Sequence, residues 1–140
     1  MGNRIVRVID GDTLEVRNWL CRTMRLRLAR VDCPELKPPI NGTPHRELHV
    51  QAANVAKHAM MQRALGKRAE ITLLKKDRYD RYIAEVVVST PKIWPPCGCR
   101  SCNLSDWLLE NKLAKPWAKN QTKREQWSLD ELREVLKFSS

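Results

Sequence analysis

Two acidic corners and one arginine-bearing strand hold most of the residues in this chain that could do chemistry. The first corner is Asp10-Gly11-Asp12-Thr13. The second is Asp32-Cys33-Pro34-Glu35. Between them, Arg25 and Arg27 alternate with Met24, Leu26 and Leu28, which turns Arg27 outward from an apolar strand face. Carboxylates suit a hard cation, and calcium takes six to eight oxygens from carboxylates, carbonyls and water. Magnesium accepts the same donors but demands stricter octahedral geometry. Arginine grips two phosphate oxygens in a planar fork that lysine cannot reproduce. A site for a cation and a phosphate is therefore the sharp reading. Taken singly, each piece has a plainer one. Asp-Gly-Asp serves as a tight turn, and Asp-x-Pro-Glu ends a strand. Arg27 reads as a solvated strand arginine, and Arg81 lies in the charged turn Lys75-Lys76-Asp77-Arg78-Tyr79-Asp80-Arg81.

The elements that must position these residues follow from periodicity. Asn3–Ile9 and Thr13–Arg17 read as a hairpin closed at Gly11, with Ile5, Arg7 and Ile9 on one face. Met24–Val31 reads as a third strand whose phase flips at Ala29, the sign of a bulge or a barrel corner. A proline-broken loop covers 36–44. A helix is expected from about His45 to Leu65, apolar at Leu48, Ala52, Val55, Ala56, Ala59 and Met60, with Gly66 just past its end. Ile71 and Leu73 mark a fourth strand, and Tyr82–Val88 a fifth. A loop is expected over Pro91–Cys102, then a helix from Asp106 to about Ala114 capped by Ser105. A last helix starts at Ser128, where Ser128 and Glu131 have capping-box spacing. Short strands, a phase break and inserted helices fit an α+β chain built on a five-stranded OB-type β-barrel with about three helices.

Lysine and arginine number 26 against 16 acids, a formal net charge of +10. Such an excess favours a polyanionic partner, nucleic acid before an acidic membrane surface. No apolar run approaches the roughly 20 residues of a membrane span. Met1-Gly2-Asn3-Arg4 leads straight into a strand pattern, so a cytoplasmic protein is expected, or a secreted or periplasmic one had a leader been removed.

The same residues, in order and spacing, resemble the staphylococcal nuclease (thermonuclease) family. The likeness rests on Val8-Ile9-Asp10-Gly11-Asp12-Thr13, on Arg27 with Val31-Asp32-Cys33-Pro34-Glu35, on Asp77-Arg78-Tyr79-Asp80-Arg81, and on Leu113-Ala114-Lys115. It covers about residues 3–118. It implies a calcium-dependent nuclease that hydrolyses DNA and RNA at the bond to the 5′ oxygen, leaving 3′-phosphates. By the resemblance, Asp12 and Asp32 bind one calcium ion with the backbone carbonyl of Cys33, and Thr13 and Asp10 support that loop from behind. Glu35 handles the attacking water, and Arg27 and Arg81 clamp the phosphate. Arg78, Tyr79, Lys115 and Trp117 match substrate-side positions, although Trp117 equally reads as core. Asp80 stands where the family has glycine, and its charge beside Arg81 threatens to draw the guanidinium off the phosphate.

The domain expected is 1–120, followed by a helical extension over 121–140, in a monomer. Cys97, Cys99 and Cys102 are closely spaced, but a structural zinc site wants four ligands, so free thiols are the leading reading, with a disulfide next and zinc after it. His45 and His49 lie four apart on the long helix, and exposed, unligated rings are the expectation. The rival to a nuclease is a non-catalytic nucleic-acid-binding module on the same barrel. Such a module has no use for Asp12, Arg27, Asp32, Glu35 and Arg81 together.

Overall fold

The computed structural model describes residues 2–91, 99–118, 121 and 123–138, and gives the backbone alone at residues 90, 91, 99 and 100. The elements run β1 (Asn3–Asp10), β2 (Thr13–Arg17), β3 (Thr23–Leu28), β4 (Val31–Asp32), α1 (Arg46–Ala64), β5 (Arg68–Lys76), β6 (Tyr82–Pro91), β7 (Cys99–Asn103), α2 (Leu104–Glu110), β8 (Lys115–Pro116) and α3 (Leu129–Leu136). β1, β2 and β3 form an antiparallel meander. β5 pairs with β1 and β6 with β5. β6 then runs parallel to β3, so β1, β2, β3, β5 and β6 close a barrel. This is the expected OB-type α+β barrel.

The barrel interior is filled by Ile5, Val8, Leu14, Val16, Leu26, Leu28, Ala84, Val86 and Val88. Each of the larger side chains there contributes about 1.5–3 kcal/mol on burial. Simple alternation fails on β1. The register skips Val6 between Ile5 and Arg7, and Ile9 between Val8 and Asp10. Two extra residues therefore keep Ile5 and Val8 both inward, and Arg7 does not share a face with Ile5.

Four other expectations are corrected. The third strand does not reach Val31: β3 ends at Leu28, and the chain turns through Arg30, at φ 68°, into β4. That turn is tied down where Arg30 Nε and Nη2 donate to Glu85 at 2.7 and 2.9 Å and Nη2 pairs with Asp106 at 3.0 Å. The fifth strand is longer than read, extending to Pro91. The span read as a loop contains β7, which pairs with β6 from Val87↔Asn103 to Pro91↔Cys99. The cap of α2 is Asn103, whose side chain accepts from Asp106 N, so the helix starts before the expected Ser105 cap and ends at Glu110 rather than near Ala114. Ser105 is fully buried inside it.

α1 lays Ala52, Ala53, Ala56, Ala59 and Ala64 with Met60 toward β1 and α3. Small side chains let these elements approach closely. α3 begins with the expected capping box, Ser128 and Glu131 each bonding the other's backbone, and buries Leu132 and Val135. Among the described residues no helix is long and apolar enough to cross a membrane. Cys97 lies outside the described residues, as does the Cys99 side chain, while Cys102 is a half-buried free thiol.

Candidate active site

Local structure first explains how the two acidic corners meet. Gly11 turns β1 into β2. A Cβ there would lie 2.9 Å from both the Ala56 Cβ and the Cys33 Sγ. Only glycine lets the first corner press against the second and against α1. The Asp12 side chain then crosses the gap. Its Oδ2 accepts from the Cys33 backbone N at 2.9 Å, and its Oδ1 from Thr13 Oγ1 at 3.2 Å. The second corner is fixed from the other side, since Asp32 pairs with Lys115 in the β4–β8 ladder.

Arg27 reaches both corners. Its Nη1 lies 3.1 Å from Asp12 Oδ2 and donates to the Leu28 carbonyl at 3.1 Å, and its Nη2 lies 3.7 Å from Asp32 Oδ1. Arg27 is only 9% exposed, so the outward arginine of β3 is covered by the site, not solvated. The guanidinium sits 5.8 Å from the centre of the Trp117 ring. Trp117 is half-buried outside the core cluster, which removes its core reading.

Burial dominates the electrostatics. It pushes Asp32 up to about 6, aided by the charge of Asp12 and opposed by Arg124, Arg27 and Lys115. It raises Asp10 too, with Asp12 adding to the rise. Asp32 Oδ1 is buried and accepts no properly aligned hydrogen bond, although Arg124 Nη2 comes within 2.9 Å. A buried acceptor with a free lone pair invites a cation. The donors are all hard oxygens. Among the described residues no three His, Cys, Asp or Glu side chains gather as a metal-binding group. A cation at this place would have Asp12 and Asp32 as its side-chain donors and would need carbonyl and water oxygens to complete its shell.

Glu35 is oriented by a residue outside the motifs. His49 is buried, and its Nε2 accepts from the Glu35 backbone N at 3.0 Å. That bond needs Nε2 unprotonated, and burial lowers the His49 pKa in the same direction. The exposed ring expected at His49 is thus corrected: α1 turns it inward against the Glu35 backbone, while His45 is exposed as expected.

Arg81 enters the strand that runs parallel to β3, on the residue before that pairing begins. β6 starts one residue later, and Leu26 faces Tyr82 across the parallel pairing. Its guanidinium is held by Asp77, Nε donating to Oδ2 at 2.9 Å, while Asp77 Oδ1 accepts the backbone N–H of Tyr79 and of Arg81. Asp80 adopts φ 63° and pairs with Lys76 at 2.7 Å, so its charge is spent away from Arg81. Tyr79 is 63% exposed, with Arg78 and Arg81 each 5.3 Å from its ring centre. Lys115 turns toward the C-terminal segment instead, donating to the Gln126 carbonyl and lying over the Trp127 ring.

That segment also supplies a residue the motifs did not single out. Arg124 forms ion pairs with both Asp32 and Glu35. In the sequence it is one of several basic tail residues. Nothing in its spacing distinguishes it from Lys119 or Lys123, because the contact spans about ninety residues of chain.

A family model described as staphylococcal nuclease homologue matches residues 25–135. An uncharacterized endonuclease of Escherichia coli O157:H7 is 31% identical over 83 residues, which is 59% of this chain and 46% of that protein. A protein of the same name from Escherichia coli matches with the same figures. The chain spans about half the length of these curated relatives.

Proposed function

This chain belongs to the staphylococcal nuclease homologue family, and from that premise we propose that it is a calcium-dependent nuclease acting on DNA and RNA. The observation that carries the reading is the ion-pair cluster in which Arg27 links Asp12 to Asp32 and Arg124 links Asp32 to Glu35, with the buried Asp32 oxygen left without an aligned partner.

In this reading Asp12, Asp32 and the Cys33 carbonyl hold the cation, with Asp10 and Thr13 behind them. Bound there, calcium supplies a Lewis acid to a phosphodiester oxygen. Glu35, fixed at its backbone by His49, orients a water and takes its proton. The water oxygen bonds to phosphorus, the bond to the 5′ oxygen breaks, that oxygen takes a proton from solvent water to leave as a hydroxyl, and the 3′ side keeps the phosphate. Negative charge grows on the phosphoryl oxygens as this happens. Arg27 from β3 and Arg81 from the β5–β6 turn meet that charge, and one such contact is typically worth about 3–4 kcal/mol in the transition state. Tyr79 and Arg78 offer an aromatic face and a cation to the strand beside the cut, and Trp117 backs Arg27. Arg124 neutralises Asp32 and Glu35 in the free protein and yields to cation and substrate.

The test is cleavage of single- and double-stranded DNA and RNA with calcium, magnesium or excess EGTA, with the product ends identified. Cleavage in calcium, none in EGTA, and 3′-phosphate ends are expected. Full activity in EGTA would sink the calcium assignment. Binding without cleavage under every ion would favour the non-catalytic module.

A further inference from the structure

The three strands that carry the site also carry a set of arginines that the chemistry above leaves unused. Cross-strand partners share a face, and the register sorts the outer face of the meander into rows. The row at the site is Asp10–Thr13–Arg27. The next is Arg7–Glu15–Arg25, and the one after is Arg4–Arg17–Thr23, extended on β5 by Arg68 opposite Arg4. The rows between them, Val8–Leu14–Leu26 and Ile5–Val16–Met24, point inward. Arg4, Arg7, Arg17, Arg25 and Arg68 are all exposed.

Like charges placed directly opposite on a sheet repel. Arg4 nonetheless stands between Arg17 and Arg68. Glu15 is the single acid in the rows beyond the site, and its contact with Arg7 is loose, at 3.9 Å. Edge protection does not explain the pattern, because β1 and β2 are interior strands of the sheet. The cations are also all of one kind, since no lysine precedes Lys37. Arginine forks suit phosphate where lysine gives only a point charge. Along β3, Arg25 precedes Arg27 by two residues, roughly 7 Å. The face ends at the β2–β3 tip, where Trp19 is 67% exposed between Arg17 and Arg22. An exposed aromatic beside arginines is how single-stranded nucleic acid is commonly held, bases stacked and backbone neutralised.

We infer that the outer face of the β1–β2–β3 meander is a phosphate track that binds a nucleic-acid strand outside the candidate active site and leads it to Arg27. The track rests on the nuclease reading for what happens at its end, but its binding does not.

The test replaces Arg4, Arg17 and Arg25 together by glutamine, none of them in the candidate site. Binding of a labelled single-stranded oligonucleotide of about 20 nucleotides is measured in EDTA across a salt series. The triple variant should bind roughly tenfold more weakly at 0.1 M salt, and its slope of log K against log salt should be shallower by about 2, at about 0.7 per lost phosphate contact. Cleavage of a dinucleotide, too short to reach the track, should keep its rate. Unchanged affinity and slope overturn the inference, and so does capture by anionic phospholipid vesicles with oligonucleotide binding unaltered. A parent protein that binds with a steep slope but cuts nothing fails the nuclease reading and leaves the track standing. Should the triple variant not fold, the guanidinium N–H resonances of the unaltered protein are followed as the oligonucleotide is added. Shifts at Arg4, Arg17 and Arg25 support the track, and shifts confined to Arg27 and Arg81 overturn it.

Discussion

Glu35 and Asp32 carry opposite burdens at the residue scale. Glu35 is partly open, and in the proposed mechanism it would move a proton, so its charge would matter to the reaction more than to the fold. Glu35→Gln keeps the shape and removes the base. Turnover should fall about 100-fold or more, while DNA binding measured by anisotropy persists, and near-normal cleavage would take the role from Glu35. Asp32 is buried, and its cost appears in stability. Its folded pKa of about 6 lies above the ordinary 3.8, so the folded state holds the proton more tightly. That contribution is full below about 3.8 and is lost as pH rises through about 6. His49 works in the other direction. Its lowered pKa favours the neutral ring, so it loses stability as pH falls below the ordinary 6.5. The two partly cancel in the parent protein. Replacing Asp32 by Asn separates them: relative to the parent, the cation-free variant should melt at a higher temperature near pH 8 than near pH 4. A difference that is the same at both pH values would mean Asp32 does not titrate near 6.

At the scale of elements, the site is a junction of three pieces with separate anchors. The β1–β2 turn is held by the tight fit of Gly11 against Ala56 and Cys33. The β5–β6 turn is organised by Asp77, which gathers Tyr79 and Arg81 with one carboxylate. The segment between β8 and α3 crosses the second corner. It is tied by Trp117 N to the Arg30 carbonyl, by Lys115 to the Gln126 carbonyl, and by Gln126 Nε2 to the Gly42 carbonyl. α3 then pins its far end with the Ser128 capping box. This segment brings Arg124 onto the carboxylates that calcium would use, so the guanidinium and the cation compete for Asp32. An affinity measured in such a protein is reduced by the fraction of molecules with the site free. Arg124→Ala should therefore raise calcium affinity about three- to tenfold by titration calorimetry. An unchanged or weaker affinity would mean the arginine supports the site and does not contest it.

Over the whole molecule, the net charge of +10 is unevenly placed. Arginines line the outer face of the meander and flank the β5–β6 turn on Arg78 and Arg81. Acids are concentrated where the two corners meet. A strand drawn to the positive faces would find its negative phosphate resisted at Asp12, Asp32 and Glu35 until a cation offsets them. On the proposed reading, positive charge would bring the substrate in and the cation would make the last few ångströms favourable. The barrel gives this arrangement its rigidity, because the fully buried Leu14, Leu26 and Leu28 sit on the same strands as Thr13 and Arg27, and Asp12 lies in the turn directly before β2.

The amino-acid sequence by itself determined the barrel strands, the long helix and the Ser128 cap, because period and capping chemistry are local properties. It also determined which residues could bind a cation or a phosphate, since their types and order lie in short stretches. It did not determine where β3 stops, because Arg30 enters the left-handed region only with Glu85 and Asp106 to hold it. Nor did it determine that the Pro91–Cys102 stretch pairs as β7, since its proline-rich pattern lacks a strand's alternation. The tertiary structure alone decided that Asp80 is paired with Lys76, that His49 steadies Glu35, and that Arg124 covers Asp32. The Asp80 pair is local, set by the φ of 63° at Asp80 and the shape of the β5–β6 turn; the other two join segments whose spacing carries no signal, brought together by the packing of α1 and of the C-terminal segment against the second corner, where burial makes an unpaired polar group costly.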